Sequence, residues 1–398
     1  GRPDADPAKR RRPPDFFMNA RRKILLVFGT RPEAIKMAPL CHALRAAPDF
    51  ETLICVTAQH REMLDQVLNI FAIRPDIDLN IMRPGQDLFD VTTHVLLGMR
   101  DALREHSPEA MLVHGDTTTA MTAAIAGFYA GVPVGHVEAG LRTYDLRAPF
   151  PEEFNRQIVS KVTRWHFAPT ELNRSNLLAE KVDPAAITIT GNTVIDALFW
   201  MLDQIKADPA RAARIDGFLG ERLSFDWGNC PFVLITGHRR ENFGDGFLQI
   251  CQALKDLARR HQDIHFVYPV HLNPNVQKPV NEILAGQDNV HLLAPLDYEP
   301  FVRLLQHCRL VLTDSGGVQE EAPSLGKPVL VMRNVTERPE AIAAGTVKLV
   351  GADHDRIVTG VSELLDSEAS YNAMARAHNP YGDGQACGRI CDVLRNLP

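Results

Sequence analysis

The feature that most constrains this 398-residue chain is a series of short runs, apolar on both faces, each followed by a helix-length segment. Six such runs lie at 23–28, 52–57, 110–114, 134–138, 165–168 and 187–190, and five more at 232–236, 265–269, 290–293, 310–313 and 329–332. A strand without a polar face is buried on both sides, and helical spacers let successive strands run in the same direction. The pattern predicts an α/β chain of parallel sheets clad in helices. Segment 201–229 is more charged, helical in character and without a clear strand, so it marks the transition between two halves.

Composition excludes several classes. Lys+Arg 43 against Asp+Glu 49 gives a formal charge of −6, too balanced for a nucleic-acid binder. There is no uninterrupted apolar run of about 18 residues, so no membrane span is expected. The cysteines at 41, 55, 230, 251, 308, 387 and 391 are odd in number, scattered, and include no C-x-x-C pair. They read as reduced thiols of a cytoplasmic protein, not as a disulfide framework or zinc site. His261 and His265 have helical spacing, but the second falls in an expected strand, so no metal is expected. Residues 1–20 stand apart, with Pro3, Pro7, Pro13, Pro14 and the run Lys9-Arg10-Arg11-Arg12. This is read as a flexible basic tail without the apolar core of a secretory signal, and Met18 is an alternative start.

An internal echo points to two similar halves. Residues 111–116 end a strand in Asp116, lead into an Ala/Thr-rich helix and reach Gly131-Val132-Pro133-Val134. Residues 310–314 end a strand in Asp314, pass through Ser315-Gly316-Gly317 into a helix and reach Gly326-Lys327-Pro328-Val329. Sheets of this kind bind ligands beyond the carboxyl ends of their strands.

Four segments carry polar residues at such ends. In Phe28-Gly29-Thr30-Arg31-Pro32-Glu33-Ala34-Ile35-Lys36, a strand turns at Gly29 into a helix near Pro32, so Arg31 and Lys36 flank an N-terminus suited to anions. The same two residues could equally be solvated, and neither a P-loop nor an ordinary dinucleotide fingerprint is present. In Thr313-Asp314-Ser315-Gly316-Gly317-Val318-Gln319-Glu320-Glu321, the glycines permit close backbone approach to a diphosphate. Glu321 could accept the two hydroxyls of a ribose, or merely pair with the helix dipole. Asp116, Glu138, Glu152 and Glu153 are acids of one half that could converge as an acid/base site, with Gly115, Gly140 and Arg142 beside them. Thr236-Gly237-His238-Arg239-Arg240-Glu241-Asn242 suits phosphate contacts. Together these favour a nucleotide-diphosphate ligand without naming the reaction.

The first and fourth of these segments, with Val113-His114-Gly115-Asp116-Thr117-Thr118, Gly135-His136-Val137-Glu138-Ala139-Gly140-Leu141-Arg142 and Thr313-Asp314-Ser315-Gly316-Gly317, resemble the non-hydrolysing bacterial UDP-N-acetylglucosamine 2-epimerases. The resemblance extends to Tyr268-Pro269-Val270-His271-Leu272-Asn273 and Thr336-Glu337-Arg338-Pro339-Glu340, leaving only residues 1–20 outside. It implies a glycosyltransferase-B-like fold: a Rossmann-like domain at 21–192, a second at 193–383, and a last helix at about 384–398 returning to the first. It also implies a homodimer, no metal or nicotinamide, no nucleic-acid or membrane partner, and reversible conversion of UDP-GlcNAc to UDP-ManNAc for surface polysaccharides. The family removes the C2 proton, expels UDP to leave 2-acetamidoglucal, then re-adds UDP with reprotonation on the other face.

By that resemblance Asp116, Glu138 and Glu152 form the acid/base set, with His238 beside the leaving group. Arg31, Lys36, His238 and the backbone of Ser315, Gly316 and Gly317 hold the diphosphate, Arg338 the nucleotide, Glu321 the ribose, and the loop before Phe301 the uracil. A second UDP-GlcNAc, acting as activator, would meet Gln59, His60, Gln86 and Arg239, although Glu62 and Gly85 stand where some members carry Gln and Arg. The rivals are a UDP-sugar-dependent glycosyltransferase of the same fold, which would need an acceptor pocket, a hydrolysing epimerase, and a silent UDP-sugar-binding regulator.

Overall fold

The structure is a computed structural model that describes residues 20–237, 244–270 and 273–397. The first half is built on a seven-stranded parallel sheet of β1 (Arg22–Phe28), β2 (Phe50–Val56), β3 (Ile77–Asp78), β4 (Ala110–His114), β5 (Val134–Val137), β6 (Trp165–Ala168) and β7 (Ile187–Ile189). Its order is β3-β2-β1-β4-β5-β6-β7. The second half holds a six-stranded parallel sheet of β8 (Phe232–Thr236), β9 (His265–Pro269), β10 (Val290–Leu293), β11 (Leu310–Thr313), β12 (Val329–Val331) and β13 (Val347–Leu349), in the order β10-β9-β8-β11-β12-β13. Each sheet reverses its winding beside its first strand, between β1 and β4 and between β8 and β11, and there the crevices open. The two echoed segments occupy β4–β5 and β11–β12, equivalent places in the two sheets.

The central strands are buried on both faces, as Ile24, Leu25, Leu26, Val27 and Phe28 of β1 illustrate. Two edge strands carry no such signature. β3 pairs through only Cys55 with Ile77 and Val56 with Asp78, and β13 has three residues, one exposed. Their backbone pairing forms without an apolar run. The expected strand at 134–138 ends at Val137 because Glu138 has φ +65°, outside strand geometry.

Two crossings join the halves. The helix Thr193–Ala207 leaves β7 and packs Ala197, Leu198 and Met201 into the core that holds Met37, Leu40 and Leu44 of the helix Arg31–Ala46. The terminal helix Ala386–Arg395 adds Cys387, Ile390 and Leu394 to that core, and the Arg22 guanidinium donates to the Leu397 carbonyl at 2.7 Å. At the crossings the strands of chain touch: the Asn192 amide donates to the Tyr381 carbonyl at 2.7 Å, and Gly191 (φ +83°) lies against Gly382 (φ +139°). A Cβ on Gly191 would come within 3.1 Å of the Gly382 Cα, so both the backbone angle and the space call for glycine. None of the seven cysteines is paired.

Buried Asp196 accepts from the backbone amides of Ala386 and Cys387 at 3.2 and 2.8 Å, satisfying the first turn of the terminal helix from another element. Asp196→Ala should cost about 1–2 kcal/mol in urea unfolding and speed amide exchange over 386–395 more than elsewhere.

Candidate active site

The helix Arg31–Ala46 starts two residues beyond the turn at Gly29, where a Cβ would lie 2.0 Å from Thr57 Oγ1. Nothing larger than glycine lets β1 end so close to its neighbour. Buried Glu33 then accepts from the Gly29 and Thr30 amides, at 3.0 and 2.8 Å, and from the Thr117 hydroxyl of the loop after β4 at 2.7 Å. One carboxyl thereby pins both loops of the first switch point. Burial pushes its pKa up against the opposing pull of those bonds. Buried His136, on β5, contacts the Gly115 carbonyl through Nε2 at 2.7 Å. Burial lowers its pKa to about 3, so the ring is neutral and donates.

These loops surround a cavity of about 530 Å³ between the two halves, lined by Lys36, Asp116, Glu138, Asn192, Glu320 and Arg338 among others. Glu138 is the hub. Lys36 Nζ lies 2.6 Å from its Oε2, the Asn192 side-chain amide donates to the same oxygen at 3.1 Å, and buried His114 Nε2 is 3.6 Å away. Burial disfavours the Glu138 charge, but Lys36 and His114 outweigh it and hold the carboxyl well below its usual range. Lys36 also loses to burial and gains more from Glu138 and Glu320, so it stays charged beyond its ordinary range.

Facing this pair from the second half, Arg338 Nε donates to Glu320 Oε1 at 2.9 Å. Burial raises the Glu320 pKa and Glu138 adds to the rise, against Arg338 and Lys36. The Arg338 guanidinium covers Gly316, where a Cβ would approach Nη1 to 2.7 Å. Ser315 precedes the short helix Gly316–Glu321, and the space beside Gly317 is taken by Glu321 Oε1 at 3.5 Å. Burial, reinforced by Glu320, pushes the Glu321 carboxyl up to about 8.

Asp116 shares the cavity wall and accepts from the Arg156 guanidinium at 2.8 Å, and the same guanidinium pairs with buried Glu153 at 3.1 Å. Glu152 opens the helix Glu152–Val162 but does not line this cavity. Arg31 lines a second cavity of about 500 Å³ with Asp297, Tyr298 and Pro300. Phe301 packs its ring against the core, which leaves the loop before it facing that cavity. Gln59 accepts from Thr119 Oγ1, His60 is exposed, and Gln86 donates to the Ile81 carbonyl, each within the first half. His238 and Arg239 lie outside the described residues.

The residue patterns did not single out Asn192, Glu320, His114 or Arg156 as site residues. Asn192 reads as a helix cap, and Glu320 and Arg156 as helix-surface charges, so their signals are those of ordinary helices.

Fold and site together define a glycosyltransferase-B-like α/β protein with carboxylates and cations gathered in the cleft between its halves. The profile of the family described as UDP-N-acetylglucosamine 2-epimerase matches residues 42–395. The UDP-N-acetylglucosamine 2-epimerases of Yersinia pestis and Escherichia coli K12 are each 59% identical over 374 residues, 94% of this chain and 98% of theirs. The crystal structure of the UDP-GlcNAc 2-epimerase from Neisseria meningitidis bound to UDP-GlcNAc is 49% identical, with a TM-score of 0.83, covering 94% of this chain and 100% of that one. This chain belongs to the UDP-N-acetylglucosamine 2-epimerase family, in its non-hydrolysing bacterial branch. No helix among the described residues is long and apolar enough to cross a membrane.

A carboxyl whose pKa is raised in the fold stabilises it most at low pH, and that contribution fades as pH rises toward its folded value. Glu321→Gln removes this titration. The melting temperature of the variant minus that of the wild type should climb from about pH 5 to about pH 8 and then level off. A flat difference would mean that Glu321 ionises normally.

Proposed function

We propose that this enzyme interconverts UDP-GlcNAc and UDP-ManNAc by inverting C2 through elimination and re-addition of UDP. The observation that carries the reading is the cleft pairing of Lys36 with Glu138 and of Arg338 with Glu320, with Asp116 on the same wall. The Neisseria relative, whose structure holds UDP-GlcNAc, supports the choice of ligand.

In the elimination, a base takes the C2 hydrogen, the C1–C2 double bond forms, and the C1–oxygen electron pair leaves with UDP. Re-addition reverses these changes, with the proton delivered to the opposite face. The C2 hydrogen is only weakly acidic, so stabilisation of the departing diphosphate carries much of the barrier. Lys36, Arg338 and Arg31, with the backbone at Ser315, Gly316 and Gly317, are the groups assigned to that task; His238 is assigned beside them. A diphosphate that attracts Lys36 would loosen its hold on Glu138 and so raise the basicity of that carboxylate. Glu138, Asp116 and Glu152 are the acid/base set. Arg156 orients Asp116, and Glu321 is assigned to the ribose.

In this reading the first half, 21–192, supplies proton transfer, and the second, 193–383, holds UDP. Gln59, His60, Gln86 and Arg239 are the candidate contacts of an activating second UDP-GlcNAc. The product feeds surface-polysaccharide synthesis, and a cytoplasmic location suits the seven unpaired cysteines. A homodimer is also proposed. A groove of about 700 Å³ between the helices Leu88–His106 and Thr118–Tyr129 is flanked by Phe128 and Tyr129, 60% and 76% exposed, an apolar ridge suited to a second copy.

The decisive experiment is proton NMR of the enzyme with UDP-GlcNAc in D₂O without added metal or nicotinamide. UDP-ManNAc deuterated at C2 is expected. Free ManNAc with UDP would place the chain among hydrolysing enzymes, and an unchanged spectrum would overturn the reading. Glu138→Gln should lower kcat at least about tenfold while UDP affinity stays within about threefold. Light scattering should give a dimer, and Tyr129→Glu should shift it toward monomer.

A further inference from the structure

Asn192 stands where the chain leaves the first sheet, and it is 3% exposed. Its side chain is fully engaged. Oδ1 accepts from the Val194 amide at 2.9 Å, while Nδ2 donates to Glu138 Oε2 at 3.1 Å and to Glu320 Oε2 at 2.8 Å. Capping the helix Thr193–Ala207 needs only the oxygen, and Ser or Asp would serve as well. The amide adds two donors aimed at carboxylates from different halves, which neither Ser nor ionised Asp supplies. Two neighbouring carboxylates disfavour each other's ionisation, and a neutral donor between them relieves this without adding charge. The other charged or titratable groups around the pair are Lys36 and His114 on the side of Glu138, and Arg338, Glu321 and Tyr381 on the side of Glu320.

We infer that Asn192 is a positioning residue: its amide fixes the orientation of the Glu138 carboxylate and ties it to Glu320, so that this carboxylate is set only when both halves meet. The inference rests on the reaction proposed above, because it concerns the group assigned there to proton transfer. It extends that reading by making the geometry of one half depend on a contact from the other.

Two variants separate the donor from the cap. Asn192→Ser keeps a capping oxygen and loses both donors. Asn192→Asp keeps cap and size but faces two carboxylates with a third. For Asn192→Ser, kcat should fall about tenfold with KM within about twofold. The acidic limb of its pH profile should move up by about half a unit to one unit, since ionised Glu138 loses a donor. Asn192→Asp should lose more at pH 8 than at pH 6, where a bound proton restores a donor to the cluster. Wild-type pH profiles in both variants, or equal losses at every pH, would overturn the inference.

A thermal double-mutant cycle tests the tie without any turnover. The melting-point losses of Asn192→Ser and Glu138→Gln should fall short of additivity in the double variant, and additive losses would overturn the tie. If the wild type shows no C2 exchange, the proposed reaction fails while the cycle still decides whether Asn192 holds Glu138.

Discussion

Lys36 and Arg338, one from each half, are charges largely shielded from water, their side chains 18% and 17% exposed, and each has a glutamate within 3 Å. Taking an ion out of water costs several kcal/mol, and removing one partner of such a pair typically costs about 3–5 kcal/mol because the other is stranded. The cleft therefore keeps its cations in place by pairing them with Glu138 and Glu320. A diphosphate brings its own negative charge to the same cations. Under the proposed function, binding is then an exchange of partners instead of the burial of new charge, and the released carboxylates regain the basicity that the ion pairs suppressed.

The groups around this cluster are arranged so as not to compete with it. Glu33 spends both oxygens on the loops after β1 and β4, and His136 is neutral and engaged with Gly115. Arg156 is divided between Asp116 and Glu153. Each holds backbone or side chains in place through hydrogen bonds or ion pairs, although His136 Nδ1 and Arg156 Nε are buried without a hydrogen bond. The left-handed backbone of Glu138 adds a constraint of its own. A non-glycine residue in that region costs about 1–3 kcal/mol, and here its neighbours over-determine it through Lys36, His114 and Asn192.

Much of the architecture was legible in the sequence because burial on both faces leaves long apolar runs. The eleven strands that carry such runs were readable, whereas β3 and β13, whose pairing rests on two or three residues at the sheet edges, were not. In the site, Lys36, Asp116 and Glu138 stood out near glycines at strand ends and Arg338 through the family resemblance, and the four line one cavity. Asn192 and Glu320 did not, because what distinguishes them is a partner more than fifty residues away. A cap and a helix-surface acid look the same in sequence whether they face water or each other. Glu152 shows the converse, since it reads as a site acid in sequence, yet neither it nor its neighbour Glu153 lines the cleft.

The contact of Gly191 with Gly382 bears on how the cleft can open. Two passages of chain that meet side by side act as a pivot, and the displacement of any group on opening grows with its distance from that pivot. Glu138 is one hydrogen bond from Asn192, and so close to the fulcrum. Glu337, exposed on the cavity wall, belongs to the second half and moves with it. A modest rotation about that pivot can therefore widen the cleft away from it, while close to it only a small shift is needed to part Asn192 from Glu320 and undo the setting of Glu138.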